Sequence, residues 1–484
     1  MAEEVSGTIE GLLSESRRFS PPPEFTARAN VNDPEVYDRA LADPEGFWAE
    51  VARDFEWFRP WDTVVTSDYP NYRWFEGAQV NITVNALDRH VAAGRGSQPA
   101  LIWDSAMTGR AETLSYAELT GRVARVAGAL AARGVAKGDR VIVYMPMVPE
   151  AVVPMLACAR LGAIHSVVFG GFAAAELATR IADAQPKAIV SASCGLEPGR
   201  VVPYKPLLDA AIALSPHKPE FCLILQRPEH GCDLVRGRDE DLREAEGTAS
   251  PHACVTVEAT DPLYILYTSG TTGRPKGIVR DNGGHAVALM NSMSMLYGVG
   301  AGDVYWAASD VGWVVGHSYI VYGPLLAGCT TIVYEGKPVG TPDAGAFWRV
   351  CAQHGVKAMF TAPTAIRAIK REDADGRLMK RHDLSRLETL FLAGERCDPD
   401  TVIWAERLLG RPVIDHWWQT ETGWAITGDF RGLGLFPVKP GSGGKPAPGY
   451  DLRVLDEAGR EVPRGTIGDL VVKLPLPPSC LPTL

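Results

Sequence analysis

The chain has 484 residues, 46% of them hydrophobic and 22% charged, with 48 basic against 58 acidic side chains and a net charge of −10. That balance excludes disorder as the main state, and with a pI near 5.6 it excludes a nucleic-acid binder that works through a broad positive field. The length argues for two or three structural units around a continuous core.

From the N-terminus, MAEEVSGTIEGLLSESRRF is polar and acidic, with no apolar signal core. Residues 1–110 are read as a wrapping segment. Up to Trp74 they are rich in aromatics and proline (Phe47, Trp48, Phe55, Trp57, Phe58, Trp61), which suits short helices and turns laid on a larger body. Residues 111–440 form an α/β core. Ser115 to Glu118 is a capping box, followed at helical spacing by Leu119, Val123, Val126 and Leu130. Gly134 ends that helix, and Gly138-Asp139 turns into the apolar strand Arg140 to Tyr144. A helix from about Pro149 to Leu161 and a buried strand from His165 to Phe169 come next. Short apolar runs then alternate with helical stretches at 188–192, 221–225, 263–267, 330–334, 358–361 and 389–393. Such alternation implies helices packed over largely parallel sheets. After Gly441 the pattern changes to a β-rich subdomain, 441–484, with a hairpin from Asp451 to Val472.

The stretch from Val141 to Ala159 is the most apolar, yet it carries Glu150 and prolines 146, 149 and 154, so no membrane partner is expected. Nine scattered cysteines without a C-x-x-C pair fit reduced thiols in a cytoplasmic protein. Nothing in the sequence fixes an oligomeric state.

The sharpest motif is Tyr267 to Gly277, YTSGTTGRPKG, directly after an apolar strand. Gly270, Gly273 and Gly277 let the backbone turn and point N–H groups inward. Thr268, Ser269, Thr271 and Thr272 add hydroxyls, and Lys276 adds a mobile positive charge. Such a loop can cradle a polyphosphate. It is not a Walker A loop, because Lys276 follows Pro275.

This string resembles the phosphate loop of the adenylate-forming acyl-CoA synthetases, and further segments match that family in the same order. They are Asp310 to Tyr319 (acyl pocket), Ala393 to Arg396 (adenine side) and Asp415 to Gly423 (nucleotide and magnesium). Trp417-Trp418 and the phrase from Tyr334 to Pro342 are most similar to the short-chain branch, particularly propionyl-CoA synthetases. The resemblance implies the large N-terminal domain of that family: two helix-covered mixed or parallel sheets plus a small β-rich subdomain. It also implies the chemistry, in which a small carboxylic acid attacks the α-phosphate of ATP and coenzyme A then displaces AMP.

Residue by residue, the resemblance makes Lys276, Thr420 and Glu421 catalytic, with Glu421 also holding Mg²⁺. ATP or AMP would lie against Thr268, Ser269, Gly270, Thr271, Thr272, Gly273 and Lys276, between Gly394, Glu395 and Arg396 on one side and Asp415, His416, Trp417, Trp418, Gln419 and Thr420 on the other. Trp313, Val314, Val315 and Trp418 would form the acyl pocket. Gly170, Gly171 and Arg200 would meet coenzyme A, with Glu197 standing where relatives carry a second arginine. His317 receives no catalytic role. Family members continue past this point into a small C-terminal catalytic domain, so the chain is expected to bind nucleotide and to catalyse poorly alone. The alternatives are acetate or another three- or four-carbon acid as substrate, or a non-catalytic adenylate-binding module.

Overall fold

The computed structural model describes residues 23–481 except 28, 32, 34, 70, 269–274 and 435–436. Two seven-stranded sheets dominate it. The first runs, edge to edge, through Asp239–Asp241, Phe221–Leu225, Ala188–Ala192, Arg140–Tyr144, Ile164–Val167, Pro262–Thr268 and Lys276–Asp281. The second runs through Val413–Asp415, Thr389–Leu392, Ala358–Thr361, Val304–Ala307, Thr330–Glu335, Pro99–Ser105 and Arg110–Ser115. Each is parallel except for one antiparallel hairpin at an edge, Pro262–Thr268 with Lys276–Asp281 and Pro99–Ser105 with Arg110–Ser115. The expected boundary at 110 falls at the start of the second strand of the latter hairpin.

Strand alternation explains the layering. Val141 and Val143 join a core with the helices Tyr116–Ala132 and Pro149–Leu161 and with Leu101, Trp103 and Val333 of the second sheet. Ile142 and Tyr144, on the opposite face, pack against Leu177, Ile181 and Leu208 of outer helices. Ile102 and Ile332 likewise face an outer set that includes Phe347, Ile366 and Val402. The two sheets therefore share a central helical layer and each carries its own outer one. Every residue of Pro149–Leu161 is buried, as a helix between two sheets must be. The Ser115 capping box forms as its spacing requires, with the Ser115 and Glu118 side chains each bonding the other's backbone N–H.

One region differs from the sequence reading. Up to Glu76 the chain forms not only short helices, such as Val36–Ala42 and Pro44–Val51, but also a hairpin, Thr63–Asp68 with Asn71–Glu76. A β-branched run (Thr63, Val64, Val65, Thr66) lies across from Trp74 and its neighbours, with Val65 paired to Trp74. Pairs of this kind favour a sheet over helical turns. The C-terminal hairpin forms from Leu452–Leu455 and Asp469–Val472. No helix among the described residues is long and apolar enough to cross a membrane.

Candidate active site

The loops that follow the second sheet's parallel strands converge on a cavity of about 570 Å³. Ser309 follows Val304–Ala307, Phe360 to Ala362 end Ala358–Thr361, Ala393 and Gly394 follow Thr389–Leu392, and Trp418 to Glu421 follow Val413–Asp415. Trp313, Val314 and Val315 close the remaining side, just before the buried helical segment Gly316–Tyr322. Ligands of open α/β sheets gather at the carboxyl ends of the strands for this reason, since loops there share one mouth.

The cavity has an apolar end and a polar end. At the apolar end Trp418 stands edge-on to Tyr319 at 5.1 Å between ring centroids, with Phe360 beyond it and Val314 and Val315 alongside. At the polar end lie Gln419, Thr420 and Glu421. The carbonyl of Glu421 is engaged by Arg280 and by the Leu481 N–H, whereas its carboxylate makes no hydrogen bond or ion pair among the described residues. A half-buried carboxylate with free oxygens beside a threonine hydroxyl fits Mg²⁺, which takes one or two protein carboxylates and draws its other ligands from phosphate and water. No cluster of three or more His, Cys, Asp or Glu is placed to hold a metal among the described residues. A protein-only metal cage is thus not what these residues form.

Around this cavity the expected residues divide into distinct groups. Thr268 and Lys276 pair across the edge hairpin of the first sheet and so hold the two ends of the phosphate-loop motif together. Ser269, Gly270, Thr271, Thr272 and Gly273 lie outside the described residues. Gly394 lines the cavity with φ +103°, a backbone conformation that side chains disfavour. Glu395 and Arg396 are exposed, and the Glu395 carboxylate is held by Thr364 and by Arg367 at 2.6 Å.

Asp415 is buried at the end of its strand, where the Cys397 N–H donates to it at 3.2 Å, and burial pushes its carboxyl up to about 7. The next ring faces the other way. His416 sits in an aromatic cluster with Tyr297, Phe360 and Phe391, its Nε2 3.2 Å from the Tyr297 hydroxyl. Burial drives its pKa down to about 3, so it is a neutral core residue and its ring does not line the cavity. Trp417 makes a backbone bridge to Thr427 and is also absent from the lining.

A second cavity of about 260 Å³ shares Ser309, Thr361 and Ala362 with the first. It runs between the strand ends of both sheets, from Pro146, Met147 and Phe169 to Tyr334 and Lys337. Gly170 and Gly171 line it as expected. A Cβ on Gly170 would come within 2.2 Å of the Tyr204 hydroxyl and 3.0 Å of the Met145 carbonyl, so any side chain there would displace the wall of the passage, to which Tyr204 belongs. Arg200 is different. It is exposed on the hairpin Cys194–Glu197 with Arg200–Pro203 and does not line this cavity. The cation that reaches the lining is Lys337, paired with Glu197 at 3.1 Å. Asp310 lines the same passage, its carboxyl accepting from the Gly312 N–H at 2.7 Å and pushed up to about 6 by burial.

Ser309, Phe360, Thr361, Ala362 and Lys337 were not singled out from the sequence. Their common signal is position, in the last two residues of a strand or one or two residues past it.

The geometry agrees with what known proteins share with the chain. A family model described as AMP-binding enzyme matches residues 88–476, and one described as acetyl-coenzyme A synthetase N-terminus matches residues 34–86. The chain is 55% identical over 447 residues to an uncharacterized protein of Pseudomonas aeruginosa, covering 92% of this chain and 71% of that one. It is 53% identical to mouse acyl-CoA synthetase short-chain family member 3, mitochondrial, covering 91% of this chain and 65% of the relative. To the propionate–CoA ligase of Salmonella typhimurium it is 47% identical, covering 93% of this chain and 72% of the relative. The chain thus spans less than two thirds of the mouse protein's length. It belongs to the AMP-binding enzyme family.

Proposed function

We propose that the chain is the nucleotide- and acid-binding body of an ATP-dependent short-chain acyl-CoA ligase, with propionate as the preferred acid. The observation that carries this reading is the two-ended cavity: Trp418, Val314 and Val315 at the apolar end, Thr420 and Glu421 at the polar end. The propionate–CoA ligases among its relatives support the choice of acid.

In this reading a carboxylate oxygen attacks the α-phosphorus of ATP, the bond to the β-phosphate bridging oxygen breaks, and pyrophosphate leaves. Two anions must meet, so the residues have to neutralise charge and hold the acid in line. Glu421 holds Mg²⁺, which when bound supplies the charge neutralisation on the phosphates. Thr420 bonds the α-phosphate and the acid, and Lys276 brings a cation from the adjacent hairpin. Thr268 and the loop residues Ser269, Gly270, Thr271, Thr272 and Gly273 receive the remaining phosphates. Adenine lies between Gly394 and the Asp415–Gln419 segment. Coenzyme A enters by the second cavity along Gly170 and Gly171. Its sulfur attacks the acyl carbon, the thiol proton is lost and AMP leaves.

Chain length follows from the indole at the end of the pocket. One methylene is worth about 0.8 kcal/mol on burial, and pockets discriminate a methylene by about 10–200-fold. Propionate should beat acetate within that range, and acids of about six carbons or more should be excluded by Trp418. The test is carboxylate-dependent ATP–pyrophosphate exchange on the full-length enzyme across straight-chain acids. Exchange strongest with propionate is expected; strongest exchange with acetate or hexanoate would overturn the pocket reading. Absence of exchange with tight AMP binding would instead favour an adenylate-binding module.

A further inference from the structure

Arg280 lies on the same strand, Lys276–Asp281, that begins with Lys276, and it is completely buried. No carboxylate forms an ion pair with it among the described residues. The neighbouring Asp281 instead accepts the N–H groups of Gly284 and His285. A buried cation without a counter-ion is costly unless every donor is satisfied. Here the donors are spent on backbone. Nη1 donates to the Glu421 carbonyl at 3.0 Å and to the Ser479 carbonyl, Nη2 donates to the Thr420 carbonyl, and Nε donates to the Tyr264 hydroxyl at 3.2 Å. The turn that lines the polar end of the large cavity is thereby held from behind by one guanidinium.

The same cation holds a second piece of chain. Ser479, at φ +77°, shares Arg280 through its carbonyl. Its hydroxyl lies 2.8 Å from His285 Nδ1 and donates to the Thr422 carbonyl at 3.2 Å. The Trp424 indole N–H donates to the Pro478 carbonyl at 3.1 Å, and the Leu481 N–H donates to the Glu421 carbonyl at 3.1 Å. The packing leaves no slack, since a Cβ on Gly423 would approach Arg280 Cζ to 2.9 Å and Ser479 Oγ to 2.7 Å. His285 cannot substitute as the cation, because burial, with Arg280 beside it, pushes its pKa well down.

We infer that Arg280 is a positioning residue for adenylation. It fixes the Thr420–Glu421 turn relative to the strand that carries Lys276, and it makes that geometry depend on the 478–481 segment being seated. The inference rests on the ligase reading for its chemical consequence but on the structure for its mechanical one. Guanidinium geometry is required, because the contacts are made from three separate nitrogens of one planar fork, whereas a lysine ammonium presents all its donors from a single nitrogen.

The experiment compares wild-type full-length enzyme with Arg280→Lys and Arg280→Met. Propionate-dependent ATP–pyrophosphate exchange is titrated against Mg²⁺, and amide hydrogen exchange is followed at residues 420–424. A small misplacement of a catalytic group costs on the order of 100-fold, so exchange should fall about 100-fold in Arg280→Met and about 10-fold in Arg280→Lys. Half-saturating Mg²⁺ should rise at least about 5-fold while the KM for propionate stays within about 3-fold, the pattern of a lost transition-state interaction. The 420–424 amides should exchange faster in both variants. If Arg280→Met does not fold, Arg280→Lys carries the test. Activity lost only in proportion to folded protein, with Mg²⁺ dependence and 420–424 amide exchange unchanged, overturns the inference. If wild-type enzyme shows no propionate-dependent exchange, the ligase reading fails. Faster 420–424 amides in Arg280→Lys would then still support the positioning role, and unchanged amides would overturn it.

Discussion

The two cavities use the same two sheets in different ways. Among the described residues the larger is built after the strands of the second sheet, with Trp313 to Val315 as its other wall. The smaller lies between the sheets and takes Pro146 and Phe169 from the first, Glu197 from the Cys194–Glu197 hairpin, and Ser309, Thr361 and Lys337 from the second. A pocket made by one sheet inherits that sheet's rigidity and can be shaped to a small acid. A passage between two sheets is narrow and lined by glycine, and suits a long, thin ligand that must thread through. In the proposed reaction the first serves adenylation and the second thioester formation, so the two half-reactions should be separable by mutation.

The largest effect expected is from Glu421→Gln. The amide keeps size but removes the charge a hard cation needs, so pyrophosphate exchange in the full-length enzyme should fall by about 100- to 1,000-fold. Exchange within a few-fold of wild type at limiting Mg²⁺ would make Glu421 an ordinary surface acid. Gly170→Val attacks the other cavity. With only 2.2 Å between a Cβ there and the Tyr204 hydroxyl, valine must displace Tyr204, which lines the passage. Acyl-CoA formation should fall about 100-fold while pyrophosphate exchange changes less than about 3-fold. Equal losses in both steps would dissolve the division of labour drawn above.

Trp418→Gly is expected to move the preferred acid from three carbons to longer chains, with discrimination against butyrate or hexanoate relaxed by about 10-fold or more. The smallest effect concerns pH and stability. The Asp415 carboxyl is pushed up to about 7 from an unfolded value near 3.8, so the folded protein keeps this proton longer than the unfolded chain. The stability this contributes is complete below about pH 4 and is lost as the pH rises through about 7, at about 1.4 kcal/mol per pH unit at most. Asp415→Asn should therefore gain on wild type in Tm as the pH rises from about 4 to about 7, so that the Tm difference is larger near pH 8 than near pH 5. Equal Tm differences at both pH values would place the carboxyl in water.

Many strands of the two large sheets were legible because each is a short apolar run bounded by glycine, proline or a charged turn; Arg140–Tyr144 and Phe221–Leu225 read directly, whereas Asp239–Asp241 and Arg110–Ser115, which are mostly polar, did not. The hairpin Thr63–Asp68 with Asn71–Glu76 was not, since only Trp74 and Phe75 of its twelve residues are buried and period-two alternation is weak. At the site, a contiguous motif hides the fact that successive residues face different ways. Asp415 ends its strand beside the Cys397 amide, His416 turns into the aromatic core, and Trp418 reaches the cavity. Arg200 illustrates the opposite error: an arginine in the expected segment points its hairpin into solvent, while Lys337 arrives from another sheet. Arg280 had no sequence signal, because its partners are backbone carbonyls 140 or more positions away.

Trp313 has a consequence for how this molecule can be watched. Its indole is 46% exposed, alone among the described tryptophans in reaching that class, and it stacks on Phe169 at 5.4 Å while lining the larger cavity. Phe169 lines the smaller one. The ring is therefore a natural fluorophore set at the junction of both binding spaces. Water leaving either one should shift its emission, read as the difference between wild type and Trp313→Phe because it is one of 12 tryptophans in the chain, so ligand entry acquires an optical signal without any added label.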